Sequence, residues 1–132
     1  MQERKNFSEA IEEIIQKDNR YSAQAYAFLM EALNFTMKKL PKPMHVTGQE
    51  LLEGIKGLGL KEFGPMARSV FEHWGIKKTD DFGEMVFNMV DDGLMSKTEK
   101  DSKEDFRGVY DFKEVFEKDY EYGTGVSESQ QT

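Results

Sequence analysis

Residues 22–43, SAQAYAFLMEALNFTMKKLPKP, carry the most apolar helical pattern in the chain. Ser22 can cap the first turn, apolar side chains then occupy nearly every face, and Pro41 and Pro43 stop the helix. A helix that is apolar nearly all round is normally buried by its neighbours. The sequence therefore predicts that this segment is the central core helix.

Four further segments place apolar residues at helical spacing. The first is expected to begin after Asn6 and to end near Lys17. Thr47 and Glu50 form a capping box that starts the third helix. Local signals of this kind indicate where a helix begins.

Three glycines make the course of the third helix harder to predict. Gly54, Gly57 and Gly59 each cost about 1 kcal/mol relative to alanine inside a helix. We therefore expect the helix to loosen or kink near Gly57. Their spacing also suggests a phosphate-binding loop, but no strand precedes it and no Lys-Ser/Thr pair follows, so helix loosening and close packing are favoured.

The fourth helix is predicted from the Gly-Pro pair that precedes it. Pro65 suits the first helical position, and Gly75 suits a left-handed cap at the end. Met66, Val70 and Trp74 lie four residues apart and are predicted to form the apolar stripe of this helix, joined by Ala67 and Phe71.

A fifth helix and a hairpin complete the predicted fold. Thr79 or Asp80 caps the fifth helix, Gly93 ends it, and residues 94–98 and 109–112 could be two short strands. The fold class is thus mainly α, with about five helices and a short C-terminal β-hairpin. Residues 65–112 fit a winged-helix-like arrangement, because two helices joined by a tight turn would precede a hairpin.

Length and composition indicate one domain in a reducing compartment. A chain of 132 residues can bury one core, so residues 1–122 are predicted to form a single helical domain, with 123–132 as a flexible tail of Gly, Ser and Gln. The absence of cysteine excludes disulfides and thiolate sites and favours a cytoplasmic location. No apolar run approaches the roughly 20 residues of a membrane span, so no membrane association is expected.

Charge is distributed unevenly along the chain. Residues 1–78 contain 12 Lys/Arg against 10 Asp/Glu, whereas residues 79–132 contain 6 against 15, within a net charge of −7. An acidic surface repels the phosphate backbone of nucleic acids. Nucleic-acid binding is therefore disfavoured, and a basic protein partner or simple solubility is the better interpretation.

No residue pattern indicates catalysis, a cofactor or a metal. His45 and His73 are the only imidazoles and lie in no zinc-binding spacing. The acidic run that begins at Asp101 fails the calcium-loop spacing, because Lys103 and Phe112 fall where ligands are needed. No catalytic, cofactor-binding or metal-binding residues are predicted, although a pair of carboxylates acting together stays open.

Several strings resemble a small bacterial protein family with no assigned activity. They are HVTGQELL at 45–52, FGPMA at 63–67, WGI at 74–76 and TDDFG at 79–83, supported by Arg20-Tyr21 and by DSKEDF at 101–106. The resemblance covers residues 18–116. It implies a bacterial source and no activity, ligand or site residue.

The favoured hypothesis is a non-enzymatic protein-interaction module of a bacterial cytoplasm. The excess of aromatic and methionine residues, together with the acidic C-terminal third, motivates it. The candidate interaction surface contains His73, Trp74, Asp101, Glu104, Asp105, Arg107 and Tyr110. Two alternatives stay open: a winged-helix-like, transcription-associated protein that binds DNA through its less acidic N-terminal half, and an enzyme of unknown type.

Overall fold

The structure, a computed structural model, describes residues 6–39, 46–95 and 102–118. Within these ranges the predicted mainly helical fold is confirmed. The five α-helices are α1 (Phe7–Lys17), α2 (Ala23–Lys39), α3 (Gly48–Phe63), α4 (Ala67–His73) and α5 (Thr79–Asp91). A 3-10 turn (Gly64–Met66) leads into α4, a second 3-10 turn (Lys103–Phe106) follows α5, and a π-helical turn (Glu114–Lys118) follows that.

The capping signals that start α1 and α3 are confirmed, whereas α5 follows the N-cap Lys78 and already includes Thr79 and Asp80, so the predicted cap at Thr79 or Asp80 is wrong. The Asn6 side chain accepts a hydrogen bond from the Glu9 N–H at 2.8 Å, and Thr47 Oγ1 accepts one from the Glu50 N–H at 3.0 Å. Gly75 has a φ of +97° and ends the turn after α4, in the left-handed conformation that its place in the sequence predicts. These caps satisfy backbone groups that a helix end otherwise leaves unpaired.

The predicted kink in α3 is wrong, because the helix continues unbroken from Gly48 to Phe63. A Cβ atom on Gly54 would collide with Thr36 Oγ1 of α2, and one on Gly57 would lie 3.4 Å from the Phe35 ring. The glycines therefore allow the backbones of α2 and α3 to approach closely. Packing against α2, as predicted for the central core helix, outweighs the low helix propensity of glycine.

Phe71 of α4 joins four parts of the fold at one point. Its ring is fully buried and lies 5.2 to 5.6 Å from the rings of Phe28, Phe82, Phe112 and Phe116. These rings come from α2, α5 and the C-terminal segment. Aromatic pairs at such distances add stability beyond the apolar area that they bury.

The C-terminal segment binds to the helices through its backbone and not as a hairpin. No strand occurs in residues 6–39, 46–95 or 102–118, so the strand predicted at 109–112 is wrong; that predicted at 94–98 falls partly outside the described residues. Thr79 Oγ1 accepts a hydrogen bond from the Val109 N–H at 3.0 Å, and Asp80 Oδ1 accepts one from the Gly108 N–H at 2.8 Å. Side chains at the start of α5 thus bind the donors that a hairpin partner would need.

Phe106 holds this segment between two helices. A Cβ atom on Gly48 of α3 would lie 2.9 Å from the Phe106 ring, and one on Gly83 of α5 would lie 2.9 Å from Phe106 Cβ. Thr79 Oγ1 donates a hydrogen bond of 2.7 Å to the Phe106 carbonyl. The aromatic side chain therefore fills a space that only glycine on both helices leaves open.

The apolar stripe predicted for α4 is only partly buried. Ala67 and Phe71 form the buried face of this helix, whereas Met66 is 59% exposed and Val70 and Trp74 are half-buried. A seven-residue helix offers too few turns for periodicity to distinguish the two faces. Met66, Val70 and Trp74, called the α4 stripe below, run along the outer edge of α4.

Candidate functional site

The residues of the predicted interaction surface fall into two groups. His73 ends α4 and Trp74 follows it directly, whereas Glu104, Asp105, Arg107 and Tyr110 belong to the segment that follows α5. The structure records no hydrogen bond, ion pair or ring contact between the groups in the part of the chain that it describes. Asp101 lies outside the described residues. The two groups must therefore be judged separately.

The second group is largely occupied by contacts within the chain. Glu104 and Arg107 are exposed and form an ion pair at 3.3 Å, and Asp105 accepts a hydrogen bond from the Ser102 N–H of its own turn. Tyr110 Oη donates a hydrogen bond of 2.6 Å to the Leu52 carbonyl, and burial raises the pKa of this phenol above its usual value. The geometry gives these polar groups structural roles.

Trp74 sits at the edge of the aromatic cluster. Its ring lies 5.7 Å from that of Phe28 and 5.8 Å from that of Phe63, while one part of the side chain remains open to solvent. The indole N–H has no hydrogen-bond partner among the described residues. A half-buried tryptophan with an available donor is typical of interaction surfaces, where a partner supplies the acceptor.

The α4 stripe continues this surface along the helix. Residues four apart lie one above the other on a helix, so Met66, Val70 and Trp74 share one side of α4 and of the turn before it. His73 is exposed beside them. Met66 and Val109 are the large hydrophobic side chains most open to solvent in residues 6–39, 46–95 and 102–118. Met66 and Val70 were missed as site residues because the sequence placed them in the core.

The α5 helix has almost no open face. Of its 13 residues only Asp91 is exposed, and all the others are buried or half-buried. The 3-10 turn Lys103–Phe106 covers one flank, where Phe106 meets Gly83. A helix that reads bases must place one side in the major groove. Apart from Asp91, every residue of this helix is at least partly covered within the described fold.

The acidic side chains of α5 form contacts within the chain. Asp81 accepts hydrogen bonds from Tyr21 Oη at 2.7 Å and from the Lys77 N–H at 2.8 Å. Glu84 pairs with Arg20 at 3.3 Å and with Lys103 at 3.2 Å. Asp81 and Glu84 therefore attach neighbouring segments to α5.

Asp18 closes the other flank of α5. Its carboxylate accepts hydrogen bonds from Arg20 Nη2 at 2.7 Å and from Asn88 Nδ2 at 3.0 Å, and Asn88 also donates to Tyr26 Oη. The Arg20 side chain, followed by Asn88, holds the pKa of Asp18 well below its usual range. Asp18 thus stays ionised and joins the α1–α2 turn to α5.

The DNA-binding alternative would need one continuous basic face, with lysines of the N-terminal half at positions 38, 39, 42, 56 and 61. Lys39 and Lys61 place their ammonium groups 4.2 and 5.8 Å from the Phe35 ring. Lys56 lies instead over the Tyr110 ring at 5.8 Å and pairs with Glu53. Lys38 is exposed near the end of α2, and Lys42 lies outside the described residues.

Two shallow clefts carry no recognisable catalytic arrangement. One, of about 430 Å³, lies between α2 and α3 beside Thr36 and Glu53; the other, of about 530 Å³, lies beside Lys78 and Val109. Within the described ranges no three His, Asp or Glu side chains come close enough to hold a metal ion. His73 is exposed, and His45 lies outside the described residues.

Comparison of the chain with protein-family models, with curated proteins and with solved structures finds no match. No helix in the part of the chain that the structure describes is both long and apolar enough to cross a lipid bilayer. A proposal for the function therefore rests on the surface of the described residues. On that surface, the α4 stripe contains Met66, the most exposed of the large hydrophobic side chains.

Proposed function

We propose that this chain is a non-enzymatic protein-interaction module of a bacterial cytoplasm, which binds another protein through the α4 stripe. The observation that carries the proposal is the 59% exposure of Met66 in line with Val70 and Trp74. Exposed apolar side chains that adjoin one another favour protein contact more than single scattered ones do. The cysteine-free composition supports the reducing compartment.

The chemistry of the stripe indicates what the partner offers. Methionine is flexible and polarisable, so Met66 can adapt to an aliphatic or aromatic side chain of the partner. The indole N–H of Trp74 needs an acceptor such as a backbone carbonyl. A partner segment with apolar side chains and an available carbonyl group would meet both requirements.

Position-specific photo-crosslinking tests this proposal. A photoreactive residue replaces Ser69, which is exposed on α4, and in a second variant it replaces Gln16, which is exposed on α1. We expect a protein from the native cell to crosslink through position 69 only. Adding Met66→Glu to the position 69 variant should abolish that product while the melting temperature stays unchanged. The same products from both positions, or a product that survives Met66→Glu, would contradict the proposal.

A measurement with DNA separates this proposal from the transcription-associated alternative. Most residues of α5 are covered, and the helix carries several carboxylates. Both features disfavour binding to a phosphate backbone. We expect the fluorescence anisotropy of a labelled random duplex to stay constant when the protein is added at micromolar concentration. A salt-dependent rise that persists in the Met66→Glu variant would favour the DNA-binding alternative.

A further inference from the structure

Met66 differs from the other methionines that the structure describes. It is 59% exposed, whereas Met85 and Met89 are fully buried in the core. The remaining described methionines, Met30, Met37 and Met95, are half-buried. An oxidant dissolved in water therefore reaches the Met66 sulfur more easily than it reaches the sulfur of Met85 or Met89.

We propose that Met66 is a redox-sensitive modification site at which peroxide makes the α4 stripe polar. Hydrogen peroxide transfers one oxygen atom to the thioether sulfur: the O–O bond breaks, an S–O bond forms, and the sulfur loses two electrons. The other peroxide oxygen takes both protons and leaves as water. The product is methionine sulfoxide, which is polar and can be reduced back to methionine by sulfoxide reductases.

Because of its position, Met66 can be oxidised and reduced again without a change in the core packing. Met66 lies on the 3-10 turn Gly64–Met66, and the buried contacts of this region come from Ala67 and Phe71. A sulfoxide at Met66 therefore faces solvent and leaves the core packing intact. Oxidation of Met85 or Met89 would instead place a polar group in the core, where it lacks hydrogen-bond partners and destabilises the fold.

The effect on binding rests on the proposed function of the α4 stripe. If a partner packs apolar groups against Met66, a sulfoxide at that position must lose its water on binding, which weakens the complex. Reduction of the sulfoxide restores the apolar surface. The stripe would thus bind its partner under reducing conditions and release it under peroxide stress.

The modification itself can be tested without a partner. The full chain is treated with hydrogen peroxide, and peptide mass spectrometry follows each methionine over time. We expect the Met66 sulfoxide to form at least about tenfold faster than those at Met85 and Met89, because exposure controls the rate. The melting temperature should stay constant while Met66 is converted. Equal rates at the three positions, or a melting temperature that falls as Met66 is converted, would overturn the proposal.

Retention on a phenyl column then measures whether the surface becomes polar. Peroxide treatment should shorten the retention of the wild-type chain, and a methionine sulfoxide reductase should restore it. The Met66→Leu variant keeps an apolar side chain without sulfur at this position, so its retention should respond much less to the same treatment. A response in Met66→Leu equal to that of the wild type would overturn the proposal. Because neither measurement uses the partner, failure of the crosslinking experiment alone would contradict the proposed function and leave the modification site standing.

Discussion

The neighbouring helices α4 and α5 differ in how deeply they are buried, and the difference is the opposite of what their sequences predict. The α5 helix is rich in carboxylates, yet all but one of its residues are buried or half-buried. The α4 helix carries the aligned Met66, Val70 and Trp74, yet this stripe lies at its outer edge. The comparison teaches that a helix rich in carboxylates can be largely covered when neighbouring segments bind most of its charges, and that an apolar stripe can remain partly open when other elements pack against another face of the same helix.

Truncation of Phe106 should have the largest effect, because this side chain covers one flank of α5. Phe106→Ala leaves the space between Gly48 and Gly83 empty and removes a buried aromatic ring. We expect a loss of about 3 to 5 kcal/mol in the free energy of unfolding, measured by urea denaturation. Val109→Ala truncates a partly exposed side chain of the same segment and should cost much less. Equal losses would mean that Phe106 does not anchor the segment.

Trp74→Ala should have the next largest effect, because the ring is only half-buried. Trp74 contacts Phe28, Phe63 and Phe71, but part of the side chain lies in solvent. We expect a loss of about 2 to 3 kcal/mol, less than the value typical of a fully buried aromatic residue. His73→Ala, at the exposed neighbouring position, should leave the free energy of unfolding nearly unchanged. A loss as large as that of Phe106→Ala would place Trp74 in the core and weaken its role in the α4 stripe.

The sequence could predict the features that depend on neighbouring residues. The caps at Asn6, Thr47 and Gly75 are local, because each side chain or positive φ acts on backbone within a few positions. The kink near Gly57 was predicted wrongly because the partner of that glycine, Phe35, lies on another helix. Close approach of two helices is a tertiary contact that propensity within one helix cannot report.

The prediction of the hairpin was wrong and that of the α4 stripe was right only in part, for related physical reasons. Residues 109–112 have strand-like composition, but the Val109 N–H is bound by Thr79, which lies 30 positions away. Around α4 both the Ala67–Phe71 pair and the Met66–Val70 pair are apolar, and contacts with other elements, such as the packing of Phe71 against rings of α2, α5 and the C-terminal segment, decide which pair is buried. The surface proposed from the structure shares His73 and Trp74 with the surface predicted from the sequence, whereas the sequence assigned Met66 to the core.

Removal of the charge at Asp18 tests the other flank of α5. Asp18→Asn loses the charge-assisted bonds to Arg20, although the bond from Asn88 can persist. Because the Arg20 side chain is largely exposed, we expect only about 1 to 2 kcal/mol of lost stability at neutral pH. Glu12→Gln removes an exposed charge from α1 and should have no measurable effect. A similar loss in both variants would show that net charge matters and the Asp18 contact does not.

The dependence of this loss on pH has a definite sign. The folded protein holds the pKa of Asp18 below its usual range, so the contact contributes its full stability above the unfolded-state pKa of about 3.9. That contribution falls as the pH drops below this value and the carboxylate becomes protonated. The difference in stability between the wild type and Asp18→Asn should therefore shrink in acid. A difference that stays constant down to pH 2 would contradict the assigned pKa direction.

Met66→Glu should have the smallest effect on stability and the largest on binding. Surface substitutions away from buried contacts usually change the free energy of unfolding by no more than about 0.5 kcal/mol, and Met66 is mostly in solvent. The new carboxylate would have to lose its water against an apolar partner, which weakens the complex strongly. Denaturation of the variant and crosslinking from position 69 measure the two effects separately. If the stability of Met66→Glu falls as far as that of Trp74→Ala, Met66 belongs to the core after all, and the contrast between an enclosed α5 and an open α4 fails.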